Sequence, residues 1–320
     1  MTTFLFNRRQ ALQTLGALAA ATAGFGMTGY AQQPVQKEKR VRFSKGTELA
    51  KTKVPANATD CHHHLYDSNF PMLPTATLRP ADAWVCDYRM LQQRIGTTRN
   101  VIIQPSTYGV DNRLLVKSIA EFGLKNCRAV CMIDADVSDA ELKRLHEVGV
   151  RGFRFNMFPA GSTTLEMLPL LAKRVAPMGW HLQVNAEAKD LITAKSTWSN
   201  LSVPVVFDHL GRLPVPNGMS HPTFAMVCEL LQQGKAYVKL SAFYNYSKPP
   251  YSDNVQVASV YAKEFPARCV WGSDWPHPTE GYDNKPDDAL LLDLLAVAVP
   301  DEAARNRILV DNPKRLYQFD

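Results

Sequence analysis

The chain of 320 residues lacks several patterns that assign chemistry directly. From residue 54 onward it has no GxSxG nucleophile elbow, no GxxxxGK[ST] phosphate-binding loop and no GxGxxG fingerprint, which argues against nucleophilic serine chemistry and against nucleotide chemistry. Its six cysteines show no CxxC spacing and stand mostly inside apolar runs. We therefore expect buried thiols that need not form disulfides.

A strong basic charge is also missing from the main part of the chain. The formal net charge is +6, but Arg8 and Arg9 contribute two of these charges and residues 32–53 carry an excess of five, which leaves −1 for the remainder. A nucleic-acid partner is therefore not expected, because it requires a basic stripe on the folded domain. With 46% hydrophobic and 21% charged residues, the composition is that of a soluble globular protein.

The first 31 residues have the pattern of an export signal. Arg8 and Arg9 precede an uncharged run rich in Ala and Gly, and residues 29–31 (GYA) supply a small-x-Ala cleavage pattern. The apolar part, residues 12–26, falls short of the ~20 residues needed to span a bilayer. We therefore expect a twin-arginine signal peptide over residues 1–31, no stable membrane span and a periplasmic mature protein.

Residues 32–53 follow as a basic N-terminal arm. The segment QKEKRVRFSKGTELAKTK is expected to be solvated, and attraction to a membrane surface is the lesser alternative.

Past residue 54 the chain alternates short β-rich runs with amphipathic stretches, which predicts repeated βα units. The eight candidate strands are residues 58–62, 100–104, 128–134, 150–156, 180–185, 204–209, 236–242 and 269–274. The helix-like segments between them include residues 111–123, 138–148, 163–175, 221–233, 254–265 and 286–299. Eight such units over ~260 residues have the dimension of a TIM barrel, so we predict the α/β class with a single (β/α)8 barrel over residues 54–320.

In such barrels the chemistry lies at the C-terminal ends of the strands. Those ends carry a set of polar side chains, namely His62 and His64, Gln104 with Ser106, Asp134, Arg154 with Asn156, Asn185, His209 with Arg212, Lys239 with Ser241, and Asp274 with His277. One such residue would be ordinary, but the whole set converging on one mouth predicts an active site.

Strand periodicity assigns faces to some of these residues. Alternate side chains point to opposite faces, so His62 and His64 share a side and His63 does not, which predicts that His63 is packed. The same rule turns Arg154 and Asn156 toward the barrel lumen. Arg154 is then a candidate clamp for a carboxylate, which a guanidinium grips through two parallel hydrogen bonds, and Arg212 is a second candidate. The alternative is that either arginine forms a structural ion pair at the rim.

The ordered motifs resemble those of a known family. They are TDCHHHLYD, IIQPSTYGVDNR, VRGFRFN, WHLQVN, VVFDHLGR and WGSDWPHP, followed by DNPKRLYQF. Together they resemble the amidohydrolase superfamily (amidohydrolase-related family 2), in the branch of 2-pyrone-4,6-dicarboxylate lactonase, sulfomuconolactone hydrolase and galactarolactone isomerase. The resemblance spans roughly residues 57–319 and implies an amidohydrolase-type barrel.

The resemblance also implies catalytic roles for His62, His64, His209 and Asp274. The chain departs from the metal-using members, because strand four lacks a bridging lysine or glutamate and strand five ends at Asn185 instead of a histidine. His181 lies too far back along strand five and is interpreted as structural. The remaining set is the one that the lactonase branch is understood to use without a metal, so no cofactor is expected. The alternative is one zinc on His62, His64 and Asp274.

The leading expectation is a hydrolase that opens a small carboxylate-bearing lactone of muconolactone, pyrone or sugar-acid type. Asp274 would activate water, and the three histidines would stabilise the developing oxyanion. The expected substrate-binding residues are Arg154, Arg212, Ser106, Tyr108 and Asn156. No second basic residue follows strand four before Lys173, so a lactone with one carboxylate fits better than a doubly charged pyrone.

Three other functions stay open on the sequence. They are a metal-dependent hydrolase or decarboxylase, a lactone isomerase that uses the same residues, and a non-catalytic periplasmic carboxylate binder. The stretch AFYNYSKPPYS after strand seven is either a wall of the pocket or a packed loop. The expected partner is the small-molecule lactone, and a homo-oligomer is compatible with the sequence.

Overall fold

The structure, a computed structural model, describes residues 40–158 and 163–320. Within these residues eight parallel strands follow one another around a single sheet, in the order in which they occur along the chain. The strands are β1 (Thr59–His63), β2 (Arg99–Ile103), β3 (Cys127–Cys131), β4 (Val150–Asn156), β5 (His181–Asn185), β6 (Val205–Phe207), β7 (Ala236–Leu240) and β8 (Cys269–Trp271). The eight predicted strands are confirmed, although several end two or three residues earlier than predicted because the chain turns away into the mouth.

The sheet closes between its first and last strands. The backbone N–H of Asp274 donates to the His62 carbonyl over 2.8 Å, and the N–H of His64 donates to the Trp275 carbonyl over 2.8 Å. Gly272 makes this approach feasible, because a Cβ at that position would lie 2.5 Å from the Cβ of His62. The predicted (β/α)8 barrel is therefore confirmed, and the closure brings the ends of β1 and β8 side by side.

The helices surround the barrel. They are α1 (Val85–Ile95), α2 (Arg113–Phe122), α3 (Asp139–Glu147), α4 (Leu168–Val175), α5 (Ala188–Thr193), α6 (Lys195–Asn200), α7 (Pro222–Gln232), α8 (Ser252–Glu264), α9 (Asp288–Ala298), α10 (Glu302–Asn306) and α11 (Asn312–Leu316), with a π-helical turn at Arg307–Asp311. Several begin at side-chain caps, as where the Ser138 hydroxyl accepts the N–H of Glu141 at the start of α3. The helices α1, α5, α6, α10 and α11 were not among the predicted segments.

The C-terminal segment closes the lower end of the barrel. Leu316, Tyr317 and Phe319 are buried in one cluster with lumen side chains such as Val206 and Val270. A packed lower lumen leaves the opposite mouth as the place where polar side chains from the strand ends meet.

The prediction of buried thiols is confirmed for most of the cysteines. Four are buried, while Cys228 is partly buried and Cys86 is exposed, and all six are free.

The described part of the arm, residues 40–53, is solvated only in part, because residues 45–49 are exposed whereas Val41, Phe43 and Ser44 are buried. Val41 is 2% exposed, and Phe43 packs its ring edge against Trp275 with centroids 5.8 Å apart. The indole N–H of Trp275 donates to the Arg42 carbonyl over 2.8 Å. The reason is a turn at residues 41–44, closed by the N–H of Ser44 to the Val41 carbonyl over 3.3 Å, which buries Val41 and Phe43 and leaves Arg42 exposed.

The predicted signal peptide and residues 32–39 of the arm lie outside the described residues, so export by the twin-arginine route stays a prediction. Over residues 40–158 and 163–320, every helix is too short or too polar to cross a bilayer.

Candidate active site

The histidines of β1 divide between two sides, as the periodicity predicted. His62 and His64 face the mouth, with their Nε2 atoms 3.3 Å apart. His63 faces the helices, where it stacks on Tyr88 with ring centroids 3.6 Å apart and bonds through Nε2 to the Asn100 side chain. Burial lowers the pKa of His63 to about 3, so it is a neutral, packed ring.

Asp274 stands opposite His62 and His64. Its Oδ1 lies 3.5 Å from Nε2 of His62 and 3.6 Å from Nε2 of His64. The residue has a left-handed backbone with φ of 67°, which is unusual for a side chain with a Cβ and is found mainly where the surroundings hold a functional group in place. The turn after β8 therefore aims this carboxylate at the two histidines.

His209 completes the group from the end of β6. Its Nε2 lies 3.9 Å from Oδ1 of Asp274, and its Nδ1 bonds to the Ser241 hydroxyl over 2.9 Å. Burial lowers the pKa of His209 to about 4, so the ring is neutral at physiological pH. The structure thus brings the four predicted catalytic side chains into mutual contact range.

The charge state of Asp274 follows from its neighbours. Burial alone would raise the pKa of its carboxyl, but interactions led by His209, together with those of His64 and His62, hold that pKa well below its ordinary value. The carboxylate is therefore ionised at neutral pH. An ionised carboxylate is in the state that a general base requires, because its oxygen can take a proton from water.

A buried charged layer lies beneath these residues. Lys239 is fully buried, and its ammonium donates to the Cys61 carbonyl over 2.9 Å, to Oε1 of Gln183 over 2.7 Å and to Nδ1 of His62 over 3.2 Å. Asp208 lies 3.5 Å away and balances the charge. Burial lowers the pKa of Lys239 to about 8, while Asp208 acts in the opposite direction. Three acceptors account for the three N–H groups of the ammonium.

These contacts select a tautomer for His62. Nδ1 of His64 lies 2.8 Å from the Ile103 carbonyl, which can only accept, so Nδ1 carries the proton and Nε2 of the neutral ring is an acceptor. His62 then donates through Nε2, and its Nδ1 accepts from Lys239. The result is an N–H directed into the space between His62, His64 and Asp274.

The same atoms also fit one zinc ion. His62 Nε2, His64 Nε2 and Asp274 Oδ1 are 3.3 to 3.6 Å apart. Ligands of one tetrahedral zinc, each bonded at ~2.0–2.2 Å, have separations of this size. In that case Nδ1 of His62 would carry the proton and face Oδ1 of Asp208 at 3.3 Å, a buried oxygen that has no hydrogen bond otherwise among the described residues.

Tyr244, from the stretch after β7, touches the catalytic group directly. Its hydroxyl donates to Oδ2 of Asp274 over 2.5 Å and lies 3.1 Å from Nδ1 of His277. The other ring nitrogen of His277 lies 3.2 Å from Oδ2 of Asp288, at the start of α9. The stretch AFYNYSKPPYS therefore supplies part of the site, and a buried chain of polar groups supports Asp274 from behind.

Arg154 lies on the lumen side of β4, as its position in the strand predicted. One amino group donates to the Gln104 carbonyl over 3.2 Å, and the other lies 3.6 Å from Oδ2 of Asp208. Its Nε is buried and has no partner among the residues described. Asn156 follows at the end of β4, where its amide oxygen accepts from the Asn185 amide over 3.3 Å. Each amino group has a second N–H beyond these contacts, so Arg154 retains donors for an anion.

Arg212 forms an ion pair within the protein, which is the alternative that the sequence left open for it. Its guanidinium donates to Glu187 over 3.2 Å and to the Tyr246 hydroxyl over 2.8 Å. A structural carboxylate therefore already occupies the position that a substrate carboxylate was expected to take.

Tyr108 also differs from the prediction of a substrate contact. Its hydroxyl accepts from the N–H of Asp67 over 2.9 Å and donates to the carbonyl of the same residue over 3.2 Å. Both functions of the hydroxyl are used inside the protein, so Tyr108 holds the loop after β1 in place. Ser106 opens the same short turn after β2 and is partly exposed.

His181 lies deep in the barrel, as predicted, where its ring edge meets Tyr317 with centroids 5.1 Å apart. The sequence interpretation missed Asp208, Gln183, Glu187 and the individual role of Tyr244. Parity could have found Asp208 and Gln183, because they lie two residues beyond the lumen positions Val206 and His181.

A (β/α)8 barrel that gathers three histidines and an aspartate at its C-terminal mouth defines an amidohydrolase-type enzyme. The family profile described as Amidohydrolase matches residues 59–319, and the chain belongs to this family.

Relatives of known description are similar over most of their length. The 2-pyrone-4,6-dicarboxylate hydrolase of Comamonas testosteroni is 35% identical over 83% of this chain and 91% of its own. The D-galactarolactone isomerase of Agrobacterium fabrum is 32% identical over 83% of this chain and 92% of its own. An apo crystal structure of an Agrobacterium tumefaciens protein superposes with a TM-score of 0.80 at 29% identity, covering 87% of this chain and 99% of that one.

Proposed function

We propose that this protein is a lactonase, a hydrolase that opens a small cyclic ester carrying a carboxylate. The observation that carries the proposal is the Asp274 carboxylate, ionised and fixed by Tyr244, with its free oxygen 3.5 Å from Nε2 of His62 and 3.6 Å from that of His64. The relatives named above, which act on lactones by their descriptions, support the same class of substrate.

The reaction begins with water held by Oδ1 of Asp274. The carboxylate removes a proton while the water oxygen forms a bond to the lactone carbonyl carbon, and the carbonyl oxygen becomes an oxyanion. The N–H of His62 stabilises that charge, and His209 lies beside it. The ring C–O bond then breaks, and the proton on Asp274 passes to the departing ring oxygen, which restores the carboxylate.

Arg154 is proposed to hold the substrate carboxylate. It lies beside Asp208 at 3.6 Å and near His209, whose pKa its charge helps to lower, and each of its amino groups has an N–H left for a ligand. Asn156 and Ser106 are proposed as further polar contacts. A carboxylate fixed at Arg154 would orient the ring so that its carbonyl faces the histidines.

A metal-dependent hydrolase is the second candidate, and the spacing of His62, His64 and Asp274 favours it. Those three side chains would hold the zinc, which would supply a Lewis acid for the carbonyl and a water of lowered pKa. Asp208 would then orient His62, and Arg154 would bind the substrate carboxylate as before.

The experiment combines metal content with activity. Elemental analysis of the purified protein is paired with hydrolysis of a lactone panel before and after exhaustive chelation. Near-zero metal with retained hydrolysis is the expected result. About one zinc per chain, with loss of hydrolysis on its removal, would replace the proposal by the metal-dependent one.

Asp274→Asn separates both enzymes from a carboxylate binder. We expect this variant to lose turnover while it retains binding of the ring-opened product. Full activity of Asp274→Asn would contradict the assigned base. A lactone isomerase would use the same residues but would return a second lactone in place of the open acid, which NMR of the products distinguishes.

A further inference from the structure

Arg212 is held by the protein itself in a three-part cluster at the mouth of the barrel. Its guanidinium contacts Glu187 at 3.2 Å and the Tyr246 hydroxyl at 2.8 Å, and this hydroxyl also lies 2.7 and 2.6 Å from the two carboxylate oxygens of Glu187. The guanidinium lies over the rings of Phe158 and Tyr246, 4.9 and 5.4 Å from their centroids. Arg212 is thus fixed in orientation, and its charge is matched by a carboxylate.

This cluster is within reach of a ligand. The side chain of Arg212 is 14% exposed and that of Glu187 is 32% exposed. Both line a cleft of about 310 Å³ whose walls also include Lys189, Tyr246, His221, Pro214 and Val215, so that Glu187 is the one carboxylate among its described lining residues. The backbone N–H of Arg212 donates to the carbonyl of His209 over 2.8 Å, so this wall of the cleft adjoins a catalytic residue.

Glu187 changes what this cleft can bind. A carboxylate only accepts hydrogen bonds, so Glu187 attracts hydroxyl donors and repels a second carboxylate placed at Arg212. A hydroxyl group can donate to Glu187 and accept from Arg212 at the same time, because it offers one donor and two acceptor positions. Arg154 has no carboxylate as close as Glu187 is to Arg212, because its nearest, Asp208, lies 3.6 Å away.

We propose that Glu187 determines the substrate charge, so that the enzyme takes lactones with one carboxylate, held at Arg154, and a hydroxylated portion directed into the cleft. The substrate class is therefore a sugar-acid lactone with a single carboxylate. This inference rests on the proposed lactonase function and deepens it. The enzyme would distinguish lactones with one carboxylate from those with two through repulsion by Glu187, as well as through the contacts that attract the preferred substrate.

The test compares two probes by their kcat/KM values. One probe is 2-pyrone-4,6-dicarboxylate, with two carboxylates, and the other is a galactaric-acid lactone, with one carboxylate and several hydroxyls. Wild type is expected to prefer the hydroxylated lactone. Glu187→Gln removes the repulsive charge at nearly constant shape, and it should shift the ratio of the two kcat/KM values toward the dicarboxylate by about tenfold or more.

Two further variants control the comparison. Glu187→Asp retains the charge and should restore most of the wild-type ratio, which a merely structural role for Glu187 would not predict. Glu147→Gln makes the same chemical change on an exposed residue at the end of α3, and it should leave the ratio as in wild type. A circular-dichroism melt of each variant verifies that the fold is retained.

The outcomes distinguish failure of the role proposed for Glu187 from failure of the lactonase proposal. A ratio that stays within about twofold in Glu187→Gln, or a wild type that prefers the dicarboxylate, overturns the role of Glu187 while the lactonase proposal stands. If wild type opens neither of these two lactones nor any other member of the lactone panel, as followed by titration of the released acid, the lactonase proposal fails and the role of Glu187 falls with it.

Discussion

The Tyr244 hydroxyl donates to Oδ2 of Asp274 over 2.5 Å, on the side of the carboxylate away from His62 and His64. One oxygen is therefore used for positioning and the other is presented to the site. The Tyr244 hydroxyl also lies 3.1 Å from His277, and His277 lies 3.2 Å from the buried Asp288 at the start of α9. This chain of hydrogen bonds fixes the orientation of the Asp274 carboxylate. Tyr244 is therefore a residue that positions Asp274, and it is not assigned as a substrate contact.

Tyr244→Phe should therefore lower kcat by about 10- to 100-fold and leave KM within about threefold of wild type, because the variant loses orientation of the base and retains the substrate clamp at Arg154. Steady-state kinetics with a lactone substrate measure both constants. The matched control is Tyr282→Phe, which removes the hydroxyl of a tyrosine that is 79% exposed, and it should behave as wild type. A rise in KM alone would mean that Tyr244 binds substrate and does not position Asp274.

His62 should carry its proton on Nε2 in the resting protein. Lys239 donates to Nδ1 over 3.2 Å, which makes this nitrogen an acceptor. Nitrogen-15 chemical shifts of the histidine rings distinguish the two tautomers directly. In Lys239→Met the Nδ1–H form that faces Asp208 becomes available, and we expect the tautomer to change and kcat to fall by about 100-fold.

A wild-type His62 protonated on Nδ1 would contradict this assignment and would favour the zinc alternative. The ring of His64 serves as the internal reference, because its Nδ1 lies 2.8 Å from the Ile103 carbonyl and should carry the proton in either case.

Buried histidines make the fold sensitive to acid. Burial lowers the pKa from 6.5 to about 3 for His63 and His181 and to about 4 for His209. Between those values and 6.5 the unfolded chain binds protons that the folded chain does not, so the free energy of unfolding decreases as the pH falls through this window. At ~1.4 kcal/mol per pKa unit, each histidine should contribute roughly 2 kcal/mol of lost stability between pH 7.5 and pH 5.

His181→Leu tests this directly. Neither ring nitrogen of His181 has a partner among the described residues, so the leucine variant should be about as stable as wild type at pH 7.5. Urea unfolding at pH 5 should then show the variant roughly 2 kcal/mol more stable than wild type. An equal loss of stability on acidification in both proteins would mean that His181 does not contribute.

The strands were predictable because each is a short apolar run with polar flanks. β4 was predicted at residues 150–156 and is observed at Val150–Asn156, since its alternating glycine, arginine and phenylalanine leave one face for the lumen and one for the helices. The helix α1 escaped prediction because its sequence, VCDYRMLQQRI, interrupts the apolar stripe with charged residues.

Contacts between side chains of different strands could not be predicted from the sequence. Lys239, Gln183 and Asp208 lie on β7, on β5 and just past the end of β6, and their meeting depends on the stagger of the barrel, which one sequence does not specify. His209 does not follow the alternation of side chains along a strand. Its φ of 52° turns its side chain into the mouth, directly after that of Asp208. Arg212 and Glu187 come from two different loops that are distant in sequence. Neither sequence motif therefore predicts the ion pair between them.

Barrel closure beside the active site depends on the absence of a side chain at residue 272. A Cβ on Gly272 would lie 2.5 Å from the Cβ and 2.8 Å from the backbone nitrogen of His62, and neither atom can move without opening the contact between β1 and β8. Gly272→Ala should therefore lower the free energy of unfolding by roughly 2–3 kcal/mol and reduce kcat, because it displaces His62 from Asp274. Gly281→Ala is the matched control, since its nearest neighbour would be the Asn284 side chain at 3.8 Å. Urea unfolding and lactone hydrolysis measure the two effects, and equal behaviour of the two variants would show that the strands tolerate a wider separation at this point.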